Sequence, residues 1–178
     1  SLSVSGDPRT AIVFSLGMGE NIEYSSIPMR TSDLVSASVR GIAQRYGQKY
    51  VSPELYLGTE IDVENQPEPS LGLVRGVTQS ALLVRQQVEI EEGSWPQTNE
   101  IMVGRLAAAK LGVTNAALSL GRQLNFEGRL WQISGVFSAA GSAFESEIWC
   151  RLDDLQQATK RQDLSVVAVT LPSDRGYA

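Results

Sequence analysis

The stretch from Val88 to Trp149 decides the fold: it reads VEIEEGSW (88–95), NEIMVGRLAAAKLG (99–112) and LSLGRQLNFEGRLWQISGVFSAAGSAFESEIW (118–149). Glycine, asparagine and proline residues cut it into short apolar runs, which is typical of strands joined by tight turns. Only Arg105–Leu111 has strong helix propensity, and Gly112 follows where helices commonly end. We therefore expect residues 81–143 to form a small, mainly β subdomain.

The second half of this stretch predicts a hairpin. Four apolar residues share one parity of an extended run, namely Leu118, Leu120, Leu124 and Phe126. Glu127-Gly128 then predicts a tight turn, and Trp131 begins the returning strand. The alternation breaks before Val136, which predicts a β-bulge near Ser134-Gly135.

On the N-terminal side, the pattern predicts a β-α-β-β order. Ala11–Leu16 is a β-branched run, and an amphipathic helix is expected from Thr31 to Tyr46, closed by Gly47. Leu55–Val63 and Leu71–Val77 flank a polar turn that contains two prolines, so we expect these two strands to pair.

On the C-terminal side, the pattern predicts a second β-α-β element. Ile148–Leu152 is a strand that leads into a helix, with Asp153 expected as its N-cap. Ser165–Leu171 is nearly all apolar, as a fully buried strand would be. The fold class is therefore α+β, in which one α/β subdomain (residues 1–80 and 144–178) is interrupted by the mainly β subdomain (81–143).

Composition narrows the function. The 178 residues carry 15 basic and 20 acidic side chains, a net charge of −5, without the basic cluster that nucleic-acid binding needs. The sequence has no histidine, no phosphate-binding glycine loop and one cysteine, Cys150, which we expect to be a small buried side chain. We predict no catalytic residue, metal or cofactor, and no apolar run approaches the ~20 residues that span a bilayer.

Several segments in order resemble the MacB-like periplasmic core domain of ABC transporter permeases, within the FtsX-like permease superfamily. They are Ser5–Pro8, Leu73–Val77, Glu92-Gly93, Asn99–Gly104, Leu111-Gly112 and Gly141–Trp149. The resemblance implies a porter-like α/β subdomain interrupted by a mainly β one, and transmembrane helices that lie outside this fragment. It also implies an inner-membrane location facing the periplasm or cell exterior, and export driven by ATP hydrolysis elsewhere.

The implied partners are a second permease protomer, a separate cytoplasmic ATPase subunit and a candidate periplasmic adaptor. This domain would relay ATP-driven motion to them and contact adaptor or substrate. Two other functions stay open: a self-contained ligand-binding module, for which an apolar pocket is the discriminating feature, and a histidine-free carboxylate hydrolase, which needs convergent carboxylates.

Six residues are candidate site residues. Trp95, Glu145 and Glu147 are candidate partner contacts, although a solvated strand face is the more common use of such glutamates. Trp131 and Trp149, in contrast, are expected to be buried in the core. The candidate hinge residues are Gly135, Gly141 and Ser142, near the joints expected at Val77–Arg85 and Ser138–Phe144.

Overall fold

The computed structural model describes residues 2–4, 10–14, 27–38, 44–45 and 48–171. The strands, in chain order, are β1 (Leu2–Val4), β2 (Thr10–Phe14), β3 (Ile27–Pro28), β4 (Gln44–Arg45), β5 (Gln48–Lys49), β6 (Val51–Val63), β7 (Ser70–Val77), β8 (Glu89–Gly93), β9 (Glu100–Gly104), β10 (Gln123–Phe126), β11 (Arg129–Ser138), β12 (Ile148–Arg151), β13 (Asp163–Leu164) and β14 (Val166–Thr170). The helices are α1 (Arg30–Ser38), α2 (Ala81–Val84), α3 (Ala107–Leu111) and α4 (Leu152–Thr159), with one-turn 3-10 helices at Asn115–Leu118 and Ala143–Ser146. The chain is α+β, as predicted.

The chain forms two compact units. Unit 1 comprises residues 1–56, 77–86 and 162–178, and unit 2 comprises residues 57–76 and 87–161. Residues 57–76 and 144–161, which the sequence pattern placed in the α/β subdomain, therefore group with the central residues. The reason is strand pairing, because β6 and β12 form ladders with β10 and β9 of the central stretch, and β7 pairs with both β6 and β12.

Unit 1 is built on a split β-α-β arrangement. β14 pairs antiparallel with β2 on one side and with β6 on the other. The strands β2 and β6, which precede and follow α1, therefore run parallel with β14 between them. All five residues of β14 are buried, which confirms the prediction from its apolar run.

Unit 2 is a closed ring of strands in the order β6, β10, β11, β9, β12 and β7, with β7 pairing back to β6. β9 and β11 are parallel, so the sheet is mixed. Its core includes Trp131, which stacks on Phe126 with ring centroids 4.6 Å apart, and Trp149, which packs against Phe137 and Phe144. Both tryptophans are fully buried, as predicted.

The turns of unit 2 confirm the predicted hairpin. Glu127 and Gly128 have φ angles of 50° and 68°, the backbone that a two-residue turn between twisted strands requires. The register of β11 against β9 shifts between Ile133 and Gly135, which confirms the bulge.

The helix predicted from Thr31 to Tyr46 is wrong in length, because α1 ends at Ser38 and residues 44–45 and 48–49 form the short ladder β4–β5. Serine is a weaker helix former than alanine or leucine, and α1 contains three serines, which is consistent with a short helix. The predicted cap Gly47 and the strand end Leu16 lie outside the described residues.

Two further boundaries differ from the predictions. The extended run expected from Leu118 starts only at Gln123, because residues 115–118 form a 3-10 turn and Gly121 adopts a φ of 86°. Helix α4 begins at Leu152, with Arg151 as its N-cap, so Asp153 lies inside the first turn and is not the cap.

Candidate functional site

One row of side chains in unit 2 leads from the core to the surface. Ile148, Val103, Val136 and Glu92 are register partners across β12, β9, β11 and β8. Registered partners share a face of the sheet. Exposure increases along the row: Ile148 and Val103 are buried, Val136 is half-buried and Glu92 is exposed. The sheet therefore presents an apolar strip that ends at an acidic edge.

A short helical layer covers this strip and leaves a groove. Helix α3 ends at Gly112, whose φ of 73° reverses the chain into the 3-10 turn at residues 115–118. The groove has a volume of about 380 Å³ and is lined by Glu92, Val103, Gly104, Arg105, Ala108, Asn115, Ala116, Leu118, Ser119 and Val136. Glu92 and Arg105 are the charged members of this lining.

Gly104 fixes one end of the groove through close backbone contact. A Cβ atom at this position would lie 2.2 Å from the carbonyl oxygen of Glu145. The end of β9 and the chain after it are hydrogen-bonded to the same segment, since the amide of Gly104 donates to the carbonyl of Glu147 and the amide of Leu106 donates to that of Glu145. A side chain at 104 would therefore force the two backbones apart.

Arg105 is held at the groove by Glu145. Its Nε lies 2.6 Å from Glu145 Oε2, and the same oxygen accepts a hydrogen bond from the amide of Ala139. The Arg105 hydrogen bond is the main reason why the pKa of Glu145 is lowered, and the pKa of Arg105 is raised in turn. The carboxylate is buried while 53% of the arginine side chain is exposed. The pair therefore presents a positioned cation to solvent.

Arg75 and Glu147 form a second ion pair in unit 2. We call this pair closed because both charged side chains are shielded from solvent. Arg75 Nε and Nη2 donate to the two carboxylate oxygens at 2.8 and 3.0 Å. The indole N–H of Trp149 donates to the same carboxylate, and the guanidinium lies 5.1 Å from the ring centre of Phe144. Both charged side chains are buried, so this pair joins β7 to the segment before β12 without facing solvent.

Unit 1 contains its own closed pair. Arg85 donates to both carboxylate oxygens of Glu54, at 2.7 and 3.2 Å, and Ser52 donates to the same carboxylate. Both charged side chains are buried. This pair joins β6 to the end of α2.

Glu145 and Glu147 do not lie on a shared, solvated strand face. Glu145 belongs to the 3-10 turn at residues 143–146, and both carboxylates are buried against different arginines. Trp95 is half-buried, between exposed Ser94 and buried Pro96. A contact between any of these residues and a partner stays a prediction.

The candidate hinge residues all lie inside unit 2 and away from the four points where the chain passes between units. Gly135 lies at the bulge, where an added Cβ would come within 2.8 Å of the carbonyl oxygen of Ser94. Ala140 and Gly141 have positive φ angles and form a turn just before Ser142. The sequence predicted joints at Val77–Arg85 and at Ser138–Phe144. Only the first of these adjoins positions where the chain passes from one unit to the other.

The structure also bears on metal and thiol chemistry. Within the described residues, no group of three or more Cys, Asp or Glu side chains is arranged to hold a metal ion. Cys150 is buried, and desolvation raises the pKa of its thiol. This agrees with its expected role as a small core side chain.

Sequence reasoning missed the arginines that hold the buried glutamates. Arg75 stands in the apolar strand sequence LGLVRGV and Glu54 in VSPELYL. A charged residue inside an otherwise apolar strand is the sequence signal that could have revealed these ion pairs, because burying a charge without a partner of opposite charge is too costly.

Comparison with known protein families identifies the family of the chain. The sequence matches the MacB-like periplasmic core domain family over residues 4–176, and the chain belongs to that family. A comparison with curated proteins found no match.

Three solved structures share the fold. The periplasmic region of MacB from Actinobacillus actinomycetemcomitans is 13% identical, with a TM-score of 0.67 over 93% of this chain and 76% of that one. The extracellular domain of the noncanonic ABC-type transporter YknZ from Gram-positive bacteria is 15% identical, with a TM-score of 0.64 over 84% and 75%. A domain assigned to a permease protein of Porphyromonas gingivalis is 16% identical, with a TM-score of 0.61 over 93% and 76%.

None of the helices in the described part of the chain has the length and apolar character needed to cross a membrane.

Proposed function

We propose that this chain is the extracytoplasmic domain of an ABC-type export permease. It would face the periplasm or cell exterior, attached to the inner membrane by helices outside this sequence, and would make or break no bonds itself. The family match over residues 4–176 is the observation that carries the proposal. The shared fold with domains of MacB and YknZ supports it.

The proposed partners are a second permease protomer and a separate cytoplasmic ATPase, whose motion the domain would relay outward. Relay requires parts that move without deforming, and each unit contains a closed arginine–glutamate pair that ties distant segments together. The chain passes between the units at residues 56/57, 76/77, 86/87 and 161/162. We propose these passages as the main sites of adjustment, with Gly135, Gly141 and Ser142 as local flexible points within unit 2.

The groove of unit 2 is the proposed contact surface for a periplasmic adaptor or a substrate. It combines an apolar strip with Arg105, whose position Glu145 sets. Trp95, half-buried beside the exposed end of β8, is a second candidate contact. Glu145 would affect partner contact by positioning Arg105. Glu147 would affect it through the stability of unit 2.

A ligand-binding module is the second candidate function. The groove volume of about 380 Å³ lies within the range of small-molecule sites, and five of its lining residues are apolar: Val103, Ala108, Ala116, Leu118 and Val136. The hydrolase alternative gains no such support, because Glu92 is the only carboxylate in this lining and paired carboxylates are required.

Labelling in intact cells tests the proposal. Leu71 is 66% exposed, so Leu71→Cys in the full-length parent protein supplies a reactive thiol. We expect a membrane-impermeant maleimide to label this variant without permeabilisation. Both this variant and its matched control, which retains Leu71, would have every native cysteine replaced by serine, including the buried Cys150, and the control should remain unlabelled. Labelling of Leu71→Cys only after permeabilisation would contradict an extracytoplasmic location.

A further inference from the structure

We propose that the groove of unit 2 receives an extended segment of a partner protein that carries an apolar side chain flanked by lysine or arginine. This inference rests on the proposed role of the groove as a contact surface and adds the chemistry of its partner. Three features of the described residues support it: the apolar floor, the charge at the rim and the edge strand β8.

The floor of the groove suits a single apolar side chain. Val103 and Val136 are register partners on β9 and β11, and Ala108 and Ala116 form the opposite wall. Small wall residues leave room above the valines. Because Val103 and Ala108 are already buried, an aliphatic side chain placed there would itself leave water and would cover the exposed parts of Val136 and Ala116.

The charge at the rim favours a basic segment. Arg105 is offset by its ion pair with Glu145. Glu92 lines the groove, and Glu89 and Glu91 are exposed on the same strand. The β8 edge of the groove is therefore acidic, and a lysine or arginine next to the inserted side chain would complement that edge.

The edge strand argues against a second copy of this chain as the occupant. Among the described strands β8 pairs only with β11, and its register shifts beside Glu91, which leaves that residue as a bulge. A symmetric pair of copies would bring identical acidic edges together. Acidic residues and bulges are common devices against such pairing. A partner of opposite charge meets no such repulsion.

Amide chemical-shift titrations of the 178-residue chain with three capped pentapeptides test the proposal. The peptides are Lys-Lys-Leu-Lys-Lys, Lys-Lys-Gly-Lys-Lys and Glu-Glu-Leu-Glu-Glu. We expect the basic leucine peptide to shift the amides of Glu92, Val103, Ala116 and Val136 with saturation. The glycine peptide should bind about tenfold more weakly, because it lacks the buried side chain. The acidic peptide should leave these amides unshifted.

Two variants locate the binding. Ala116→Trp fills the groove and should abolish the response to the leucine peptide, whereas Lys110→Ala, an exposed substitution on α3 outside the lining, should leave it unchanged. Equal affinity for the glycine peptide, or for the acidic peptide, would overturn the proposal. So would the absence of any groove shift. None of these outcomes alters the labelling test of extracytoplasmic location, so the two proposals fail separately.

Discussion

The two units use the same chemical pair in different ways. In unit 1, Arg85 and Glu54 are both almost fully buried, and in unit 2 Arg75 and Glu147 are equally closed. Unit 2 adds a third pair, in which Glu145 is buried but Arg105 is open to solvent at the groove. The closed pairs join distant segments within each unit, whereas the open pair sets the position of a surface cation.

Closed and open pairs differ in how much stability the chain loses when one member of the pair is removed. A buried ion pair adds little net stability relative to apolar side chains, yet the loss of one member leaves an uncompensated charge. The open pair avoids much of this cost because water still solvates the exposed arginine. The closed pairs should therefore dominate the effects of mutation.

The largest effect is expected for Glu147→Ala. It leaves Arg75 buried without its carboxylate and should lower the free energy of unfolding by about 3–5 kcal/mol, measured by urea denaturation. The double variant Arg75→Met, Glu147→Leu removes both charges and should recover most of this loss. A double variant no more stable than Glu147→Ala would contradict the assignment of the loss to the uncompensated charge.

Glu54→Ala is the matching change in unit 1 and should cost a similar ~3–5 kcal/mol. Amide hydrogen exchange shows which of the two units each variant destabilises. Glu54→Ala should accelerate exchange in β14, and Glu147→Ala should accelerate it in β12. The same pattern of acceleration in both variants would show that the units do not behave as separate bodies.

Gly104→Ala should cost about 1–3 kcal/mol, because its Cβ would collide with the backbone of residue 145. The matched control is Gly112→Ala, which has no atom within 4 Å of the added Cβ and suffers only the cost of its positive φ, about 1 kcal/mol. Equal losses for the two variants, measured by thermal or urea unfolding, would mean that the segment at 104 can move away freely.

The smallest effect is the pH dependence that Glu145 contributes. Its pKa is lowered in the folded chain, so its stabilisation is complete above the ordinary value of about 4.3 and is lost as pH falls through the folded value. The stability difference between the unsubstituted chain and Glu145→Gln should therefore shrink between about pH 7 and pH 3. Glu60→Gln, which removes an exposed carboxylate of β6, serves as control. A difference in unfolding free energy between the unsubstituted chain and Glu145→Gln that does not change with pH would contradict the lowered pKa of Glu145.

Much of the fold could be predicted from sequence, because local patterns determine it. Alternation located β6, β7 and β11, and Glu127-Gly128 identified a turn whose backbone suits those residues. The family resemblance, carried by ordered motifs, was also correct.

The division into units and the site could not be predicted in the same way. Both depend on contacts between residues distant in sequence, such as Arg75 with Glu147 and Ser70 with the carbonyl of Leu111. The spacing of Glu145 and Glu147 suggested one exposed face, but a 3-10 turn at 143–146 directs the two carboxylates to different arginines. Alternation assumes an extended chain and fails where the backbone turns.

The most direct test measures whether ATP hydrolysis moves this domain. Spin labels at Lys110→Cys, an exposed position on α3, would be placed in both protomers of the proposed full-length dimer, reconstituted with the proposed ATPase after every native cysteine, including Cys150, is replaced by serine. The relay account predicts that the distribution of distances between the labels changes between the ADP-bound and ATP-bound states. Superimposable distributions in a preparation that hydrolyses ATP would contradict it.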